Sequence, residues 1–422
     1  MRLRVSKSTI SGQIPASPSK SYTHRAMVLA MLSPGLSRLT RVLFSDDTLS
    51  TLNAIRQFGA GVSVEGDTCS VEGGELDCPE ETVDAGNSGT TIRLLAGAAS
   101  LLPCTTVLTG DSSLRRRPMG PLVHALNELE VKCMATQAKD RAPLMIRGPN
   151  RGRKAHIRGD VSSQFISSLL LSSPPKNVDT DLILTTPLKS RPYVDITLEM
   201  MESFGAVCEP RGSGYHVPGC QRYVPVDYRV PGDFSSAAFP LVAGALTGRV
   251  RVTGLTEDTC QADRVILDIL RQFQARVIVR GDSVEVKGGD LKGGEVDLGN
   301  SPDLFPIVAV LATQARGESR LFNAAHLRHK ESDRIAATVS FLREMGALVR
   351  ETRDGCVVSG PCGLRGAEVV SHGDHRILMA AAVAGMVAQG DTIIDEGKCY
   401  SVSYPTFLQD LRSLGAEMEL IG

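Results

Sequence analysis

The chain has 422 residues and a formal charge of −1. That length exceeds what one ordinary core accommodates, so two or three domains are expected, and the near-zero charge excludes a nucleic-acid or membrane-surface protein that binds by bulk positive charge. Hydrophobic residues make up 42% but aromatics only 4%, with no Trp, so the cores should be built mainly from Ala, Val, Leu and Ile. No apolar run has the length and freedom from polar interruption of a membrane helix. The ten cysteines include no Cys-x-x-Cys pair, and Met1-Arg2-Leu3-Arg4-Val5 has no apolar signal core behind it. Together these predict free thiols in a cytosolic protein. Two His-x-x-His pairs, His326/His329 and His372/His375, lack further ligands around them, so no metal is expected.

In chain order, the first informative stretch is Pro18-Ser19-Lys20-Ser21-Tyr22-Thr23-His24-Arg25, ahead of the apolar run Ala26 to Leu32. A helix start leaves backbone N–H groups unpaired, Ser19 or Ser21 can cap it, and Lys20 and Arg25 add charge, which outlines an anion site. A Walker-type phosphate loop is excluded, because Ser19 and Ile14 occupy its glycine positions.

One phrase then recurs: an apolar helix end, Gly-Ala or a relic of it, then a strand. It appears as Phe58-Gly59-Ala60, as Leu129-Glu130-Val131 with Glu130 in place of glycine, and as Phe204-Gly205-Ala206. It returns as Phe273-Gln274-Ala275, Met345-Gly346-Ala347 and Leu414-Gly415-Ala416. Copies lie roughly 70 residues apart, longer than solenoid periods, so each unit is a small fold of its own. Between them lie helices apolar nearly all round, hence buried: Thr91 to Leu102, Phe165 to Leu171, Ala237 to Leu246, Leu304 to Ala312 and Ile377 to Val387. The pattern predicts an α/β protein of two pseudo-symmetric domains, three units each, crossing near Tyr228 to Gly232.

Polar residues stand before each buried helix. They include Asn87-Ser88-Gly89-Thr90, Ser162-Ser163-Gln164, Asp233, Ser301-Pro302-Asp303, Lys330-Glu331-Ser332-Asp333-Arg334 and Asp374-His375-Arg376. Each alone is mostly a cap. Together they gather Lys20, Arg25, Lys330, Arg334 and Arg376, with Asp303 and Glu331, at one end of like-oriented helices, and in a neutral chain this predicts small polyanionic ligands. Arg115-Arg116-Arg117-Pro118 adds guanidinium forks suited to phosphate or carboxylate. Lys398 follows Gly397, which is expected to allow an unusual backbone angle.

These motifs, in this order across almost the whole length, resemble the 5-enolpyruvylshikimate-3-phosphate (EPSP) synthases among the enolpyruvyl transferases. The resemblance implies two pseudo-threefold domains, each of three βαβαββ units: residues 1–15 with 230–422, and 16–229, with the active site in the cleft between them. It implies transfer of the enolpyruvyl group of phosphoenolpyruvate to the 5-hydroxyl of shikimate 3-phosphate, by addition then elimination, without metal or organic cofactor, in a monomer. It assigns shikimate 3-phosphate to Lys20, Ser21, Arg25, Ser162, Ser163, Gln164, Ser190, Tyr193, Asp303, His326 and Lys330, with His326 standing where many members carry Asn. It assigns phosphoenolpyruvate to Lys20, Gly89, Arg117, Gln164, Arg334, Arg376 and Lys398. Asp303 is expected to take the proton of the attacking hydroxyl and Glu331 to protonate the methylene carbon, with Lys20 beside them.

The sister transferase that acts on UDP-N-acetylglucosamine usually carries a reactive Cys in the loop before Arg-Pro, and Gly110 to Arg117 has none. A binding protein without turnover would be expected to lack Asp303, Glu331 or Lys20, and all three are present. Leu94 and Ser88 depart from a proline and an alanine common in the family.

Overall fold

The computed structural model describes residues 1–422, which divide into two compact units, Lys20–Val230 and Met1–Ser19 with Pro231–Gly422. Both are built by the same rule. Each holds three four-stranded sheets, and in all six sheets one parallel pair is extended by two antiparallel strands. In the second unit the first strand, Arg2–Val5, lies between Thr392–Ile394 and Met418–Ile421, and Ser11–Pro15 pairs in parallel with Arg249–Thr253. In the first unit Asp227–Arg229 pairs in parallel with Gly35–Thr40. Strands from distant parts of the sequence therefore complete sheets in both units.

Three helices without a polar face fill the centre of each unit. They are Lys20–Leu32, Gly89–Ala99 and Ser163–Ser172 in one, and Phe234–Thr247, Phe305–Thr313 and His375–Val387 in the other. All nine residues of Phe305–Thr313 are buried, as expected of a helix that has only apolar neighbours. The accompanying helices are two-faced: Arg334–Glu344 buries Ile335, Val339 and Leu342 and exposes Ser340, Arg343 and Glu344.

Three helix starts lie earlier than the sequence expectation. Apolar periodicity places them at Thr91, Phe165 and Ile377, whereas the helices begin at Gly89, Ser163 and His375. Hydrophobic pattern registers only apolar residues, and the first turns, although buried at Gly89, Ser163 and His375, are not apolar. The repeat is seen most sharply in the backbone. The residue after each apolar helix end is left-handed in all six copies: Gly59 (φ 93°), Glu130 (64°), Gly205 (82°), Gln274 (68°), Gly346 (87°) and Gly415 (107°). Glu130 and Gln274 adopt it without glycine, so fold symmetry, and not residue type, imposes the angle. A Cβ at Gly346 would meet only Gly363 O, at 3.8 Å, so Gly346→Ala is expected to lose about 1–2 kcal/mol through the dihedral alone, as read by urea unfolding.

Two expectations are corrected. The cysteines are not all free: Cys78 and Cys104 form a disulfide with Cα atoms 6.1 Å apart, while the other eight are thiols. Cys78 follows one sheet and Cys104 precedes the next strand, and only the fold brings segments 26 residues apart together. The unusual angle near Lys398 belongs to Glu396 (φ 45°), not Gly397. Glycine is needed at 397 for space, since a Cβ there would stand 2.6 Å from the backbone of Arg2 and Leu3. No helix is long and apolar enough to cross a membrane.

Candidate active site

In the unit Lys20–Val230 the polar first turns of the three buried helices are tied together by side chains. Lys20, the first residue of its helix, donates from Nζ to Asp47 Oδ2 at 2.9 Å, and Thr91 Oγ1 donates to the Asp47 carbonyl at 3.3 Å. Ser88 and Ser162 are the caps of the other two helices, accepting from Thr91 N and Gln164 N. Gln164 Nε2 donates to Thr90 Oγ1 at 2.7 Å and its Oε1 accepts from Arg93 Nη1 at 2.6 Å, which links the second helix start to the third. Arg93 also lies over the Phe165 ring, 5.1 Å from its centroid. Arg117 Nη2 donates to Asn87 Oδ1, and a Cβ on Gly89 would stand 2.9 Å from Arg117 Nη1. Glycine at 89 thus leaves room for the guanidinium over a helix N-terminus, where an anion is favoured.

Arg25 is not at the helix mouth. One turn in and 1% exposed, it donates to Thr197 Oγ1, Ser167 Oγ and the carbonyls of Ser21 and Tyr193. Burial pulls its pKa down to about 10, against a smaller opposing effect of Tyr22 and Tyr193, so it stays charged at neutral pH. Ser163 and Ser190 are buried, Ser190 in a left-handed conformation (φ 53°), and Ser21, Ser162 and Tyr193 are half-buried.

Beneath this cluster His24 Nδ1 meets Thr51 Oγ1 at 2.7 Å, and Thr51 Oγ1 meets Thr91 Oγ1 at 2.6 Å. Burial, then the charges of Lys20 and Arg25, hold His24 well below its ordinary pKa, so the folded protein keeps it neutral. The unfolded chain binds this proton near pH 6.5 and the folded one does not, so stability is full above that pH and falls below it. The expected slope is about 1.4 kcal/mol per pH unit below roughly pH 6, measured by urea unfolding and absent in His24→Asn.

In the other unit one guanidinium organises three carboxylates. Arg334 is 2% exposed at its side chain and donates from Nη1 to Asp303 Oδ1 (2.7 Å), from Nη2 to Glu331 Oε2 (2.7 Å) and from Nε to Asp374 Oδ2 (2.8 Å). Asp303 is shared, since Arg376 Nη2 lies 3.0 Å from its Oδ2. Asp333 and Asp374 cap the helices that begin at Arg334 and His375, which fixes both arginines at first turns. Burial alone would raise the Asp303 pKa, but Arg376, Lys330 and Arg334 outweigh it and hold the carboxyl well below the usual range, with Glu331 opposing them. Burial lowers and Asp374, Glu331 and Asp303 raise the Arg334 pKa, the carboxylates prevailing. His326 is half-buried in the turn Ala325–His329, and Lys398 is exposed ahead of Cys399–Val402. No group of three or more His, Cys, Asp or Glu is arranged to hold a metal ion.

The structure thus joins Lys20, Gly89, Arg117, Ser162 and Gln164 in one cluster and Asp303, Glu331, Arg334 and Arg376 in another. It adds Asp47 and Arg93, and Asp263, a buried carboxyl whose charge acts with that of Asp303, all of which sequence reasoning missed. Arg93 carries a usable signal, a single charge inside an otherwise apolar buried helix; Asp47 and Asp263 carry none.

The sequence profile of EPSP synthase (3-phosphoshikimate 1-carboxyvinyltransferase) matches residues 5–411. The 3-phosphoshikimate 1-carboxyvinyltransferase of Methanocorpusculum labreanum is 50% identical over 421 residues, covering 99% of both chains, and that of Methanocella arvoryzae is 45% identical over 424 residues, covering 100% of both. The solved EPSP synthase of Acinetobacter baumannii superposes with a TM-score of 0.84 at 27% identity, covering 100% of both chains. With a profile match spanning nearly the whole sequence and relatives of equal length at this identity, the chain belongs to the EPSP synthase family.

Proposed function

We propose that this chain catalyses the family's reaction, with the residues of each cluster in the roles that the resemblance assigns to them. The chain transfers the enolpyruvyl group of phosphoenolpyruvate to the 5-hydroxyl of shikimate 3-phosphate and releases phosphate. The observation that carries the residue roles is the bridging of Asp303 and Glu331 by Arg334, which sets two carboxyl groups on one cation. In the addition step Glu331, in its protonated form, gives a proton to the methylene carbon, the 5-hydroxyl oxygen bonds to the adjacent carbon, and Asp303 takes the hydroxyl proton, which leaves Glu331 ionised and Asp303 protonated. In the elimination step the methyl carbon loses a proton and the carbon–oxygen bond to phosphate breaks, the two carboxyls exchanging roles. Each transfer by a placed group is worth about 10² to 10⁴ in rate.

Asp303 is a weak base while the charges of Arg376, Lys330 and Arg334 act on it. Phosphoenolpyruvate brings a phosphate and a carboxylate to Arg334, Arg376, Arg117, Lys20, Gly89, Gln164 and Lys398. Once its anionic groups share the guanidiniums, less positive charge acts on Asp303 and its proton affinity rises. The donor substrate therefore activates the base. Lys20, Ser21, Ser162, Ser163, Gln164, Ser190, Tyr193, His326, Lys330 and Asp303 hold shikimate 3-phosphate, with the Arg25 charge beneath them and Arg93 fixing the Gln164 amide.

The test is phosphate release from phosphoenolpyruvate by the purified chain with shikimate 3-phosphate or UDP-N-acetylglucosamine as acceptor. Release with shikimate 3-phosphate alone is expected; release only with UDP-N-acetylglucosamine, or with neither from folded protein, overturns the reading.

A further inference from the structure

Asp263 belongs to no motif singled out above, yet it is the least satisfied carboxyl near the reacting cluster. It lies in the turn Ala262–Val265 and is 2% exposed. Its Oδ2 accepts from Ser235 Oγ, while Oδ1 is buried without a hydrogen-bond partner. Ser301 Oγ donates to the Ala262 carbonyl at 3.0 Å, which fastens this turn to the segment that carries Asp303. The charged groups that face it are Asp303 from that segment, Arg376 from the helix His375–Val387 and Asp233 from the start of Phe234–Thr247; Arg264 on its own turn is half-exposed.

We propose that Asp263 is a positioning residue for the transfer reaction, acting through Asp303: its negative charge offsets the cations around Asp303 and makes that carboxylate a better proton acceptor. The inference rests on the reading of Asp303 as the acceptor. A buried carboxyl with one hydroxyl donor, two like-charged neighbours and one guanidinium does not ionise readily. Burial, then Asp303, push it up to about 7, with Arg376 and Ser235 opposing. Below that pH Asp263 is neutral, and the pull of Arg376, Lys330 and Arg334 on Asp303 is countered by Glu331 without help from Asp263. Above it the Asp263 charge counters them. The coupling is mutual, so a proton arriving on Asp303 makes Asp263 readier to ionise.

The test is kcat and KM against pH, from about 5.5 to 9, for the wild type, Asp263→Asn, Asp263→Glu and Ser235→Ala, with Asp303→Asn alongside. The wild-type kcat is expected to rise through a limb near 7. Asp263→Asn should lose that limb and stay at the low-pH level, roughly three- to tenfold below wild type at high pH, with KM nearly unchanged. Asp263→Glu should restore a limb. Ser235→Ala removes the hydrogen bond that favours the charged form and should move the limb to higher pH, which keeps the test decisive if Asp263→Asn does not fold. A limb that persists in Asp263→Asn, one unmoved in Ser235→Ala, or a loss carried by KM overturns the proposal. Retained turnover in Asp303→Asn overturns the Asp303 reading instead, so the two failures are distinct.

Discussion

Replacing Arg334 by Met is expected to lower the unfolding free energy by about 3–5 kcal/mol near pH 7, because removing the central cation of a buried ion cluster leaves its partners charged and uncompensated. Asp303, Glu331 and Asp374 each lose a hydrogen bond of 2.7–2.8 Å, and Asp374 has an exposure of 0% in its side chain. The loss should shrink as the pH is lowered, since carboxyls freed of Arg334 take up protons more readily and a neutral acid needs no cation. Urea unfolding at neutral and acidic pH measures both effects. Turnover should fall at the same time by on the order of 10² to 10³, the usual consequence of deleting one fixed donor to developing charge. Lys at 334 has a single point of charge in place of a planar fork, so Arg334→Lys should recover only part of either quantity. Equal stability of Arg334→Met and wild type at neutral pH would mean that the carboxylates find other partners.

Asp303→Asn is expected to reduce kcat by about 10² to 10⁴ while KM for either substrate changes far less. The carboxamide retains the shape of the side chain and one acceptor oxygen, but it cannot take the hydroxyl proton. It also removes the negative charge shared by Arg334 and Arg376, which leaves both guanidiniums freer to hold anions. Phosphoenolpyruvate should therefore bind at least as tightly as before, and isothermal titration of the inactive variant checks this. A fall in kcat/KM carried wholly by KM would assign Asp303 to binding alone.

Much of this arrangement was legible before any coordinates. The six Gly-Ala relics marked the repeat, and the left-handed angle at each confirms that they mark one structural position, even where Glu130 and Gln274 replace glycine. The apolar runs marked the buried helices, because a segment with no polar face has nowhere else to go. The polar residues ahead of them marked the groups that the fold gathers at the helix starts, and the resemblance in motif order supplied the family. What periodicity could not locate was the helix start, since the first turns at Gly89, Ser163 and His375 are buried without being apolar and so carry no hydrophobic pattern.

Other features arise only when distant segments meet. Whether Arg25 lies at a mouth or inside depends on Thr197 and Tyr193, more than 160 residues away. The Cys78–Cys104 bond depends on two loops converging. That Arg334 holds three carboxylates from separate segments, and that the buried Asp263 feels the charge of Asp303, follows from three-dimensional proximity. Residue types and their order determine which groups are available and which faces must be buried. Proton affinity depends instead on distance and burial, through Coulomb interaction and desolvation, and only the folded chain sets those.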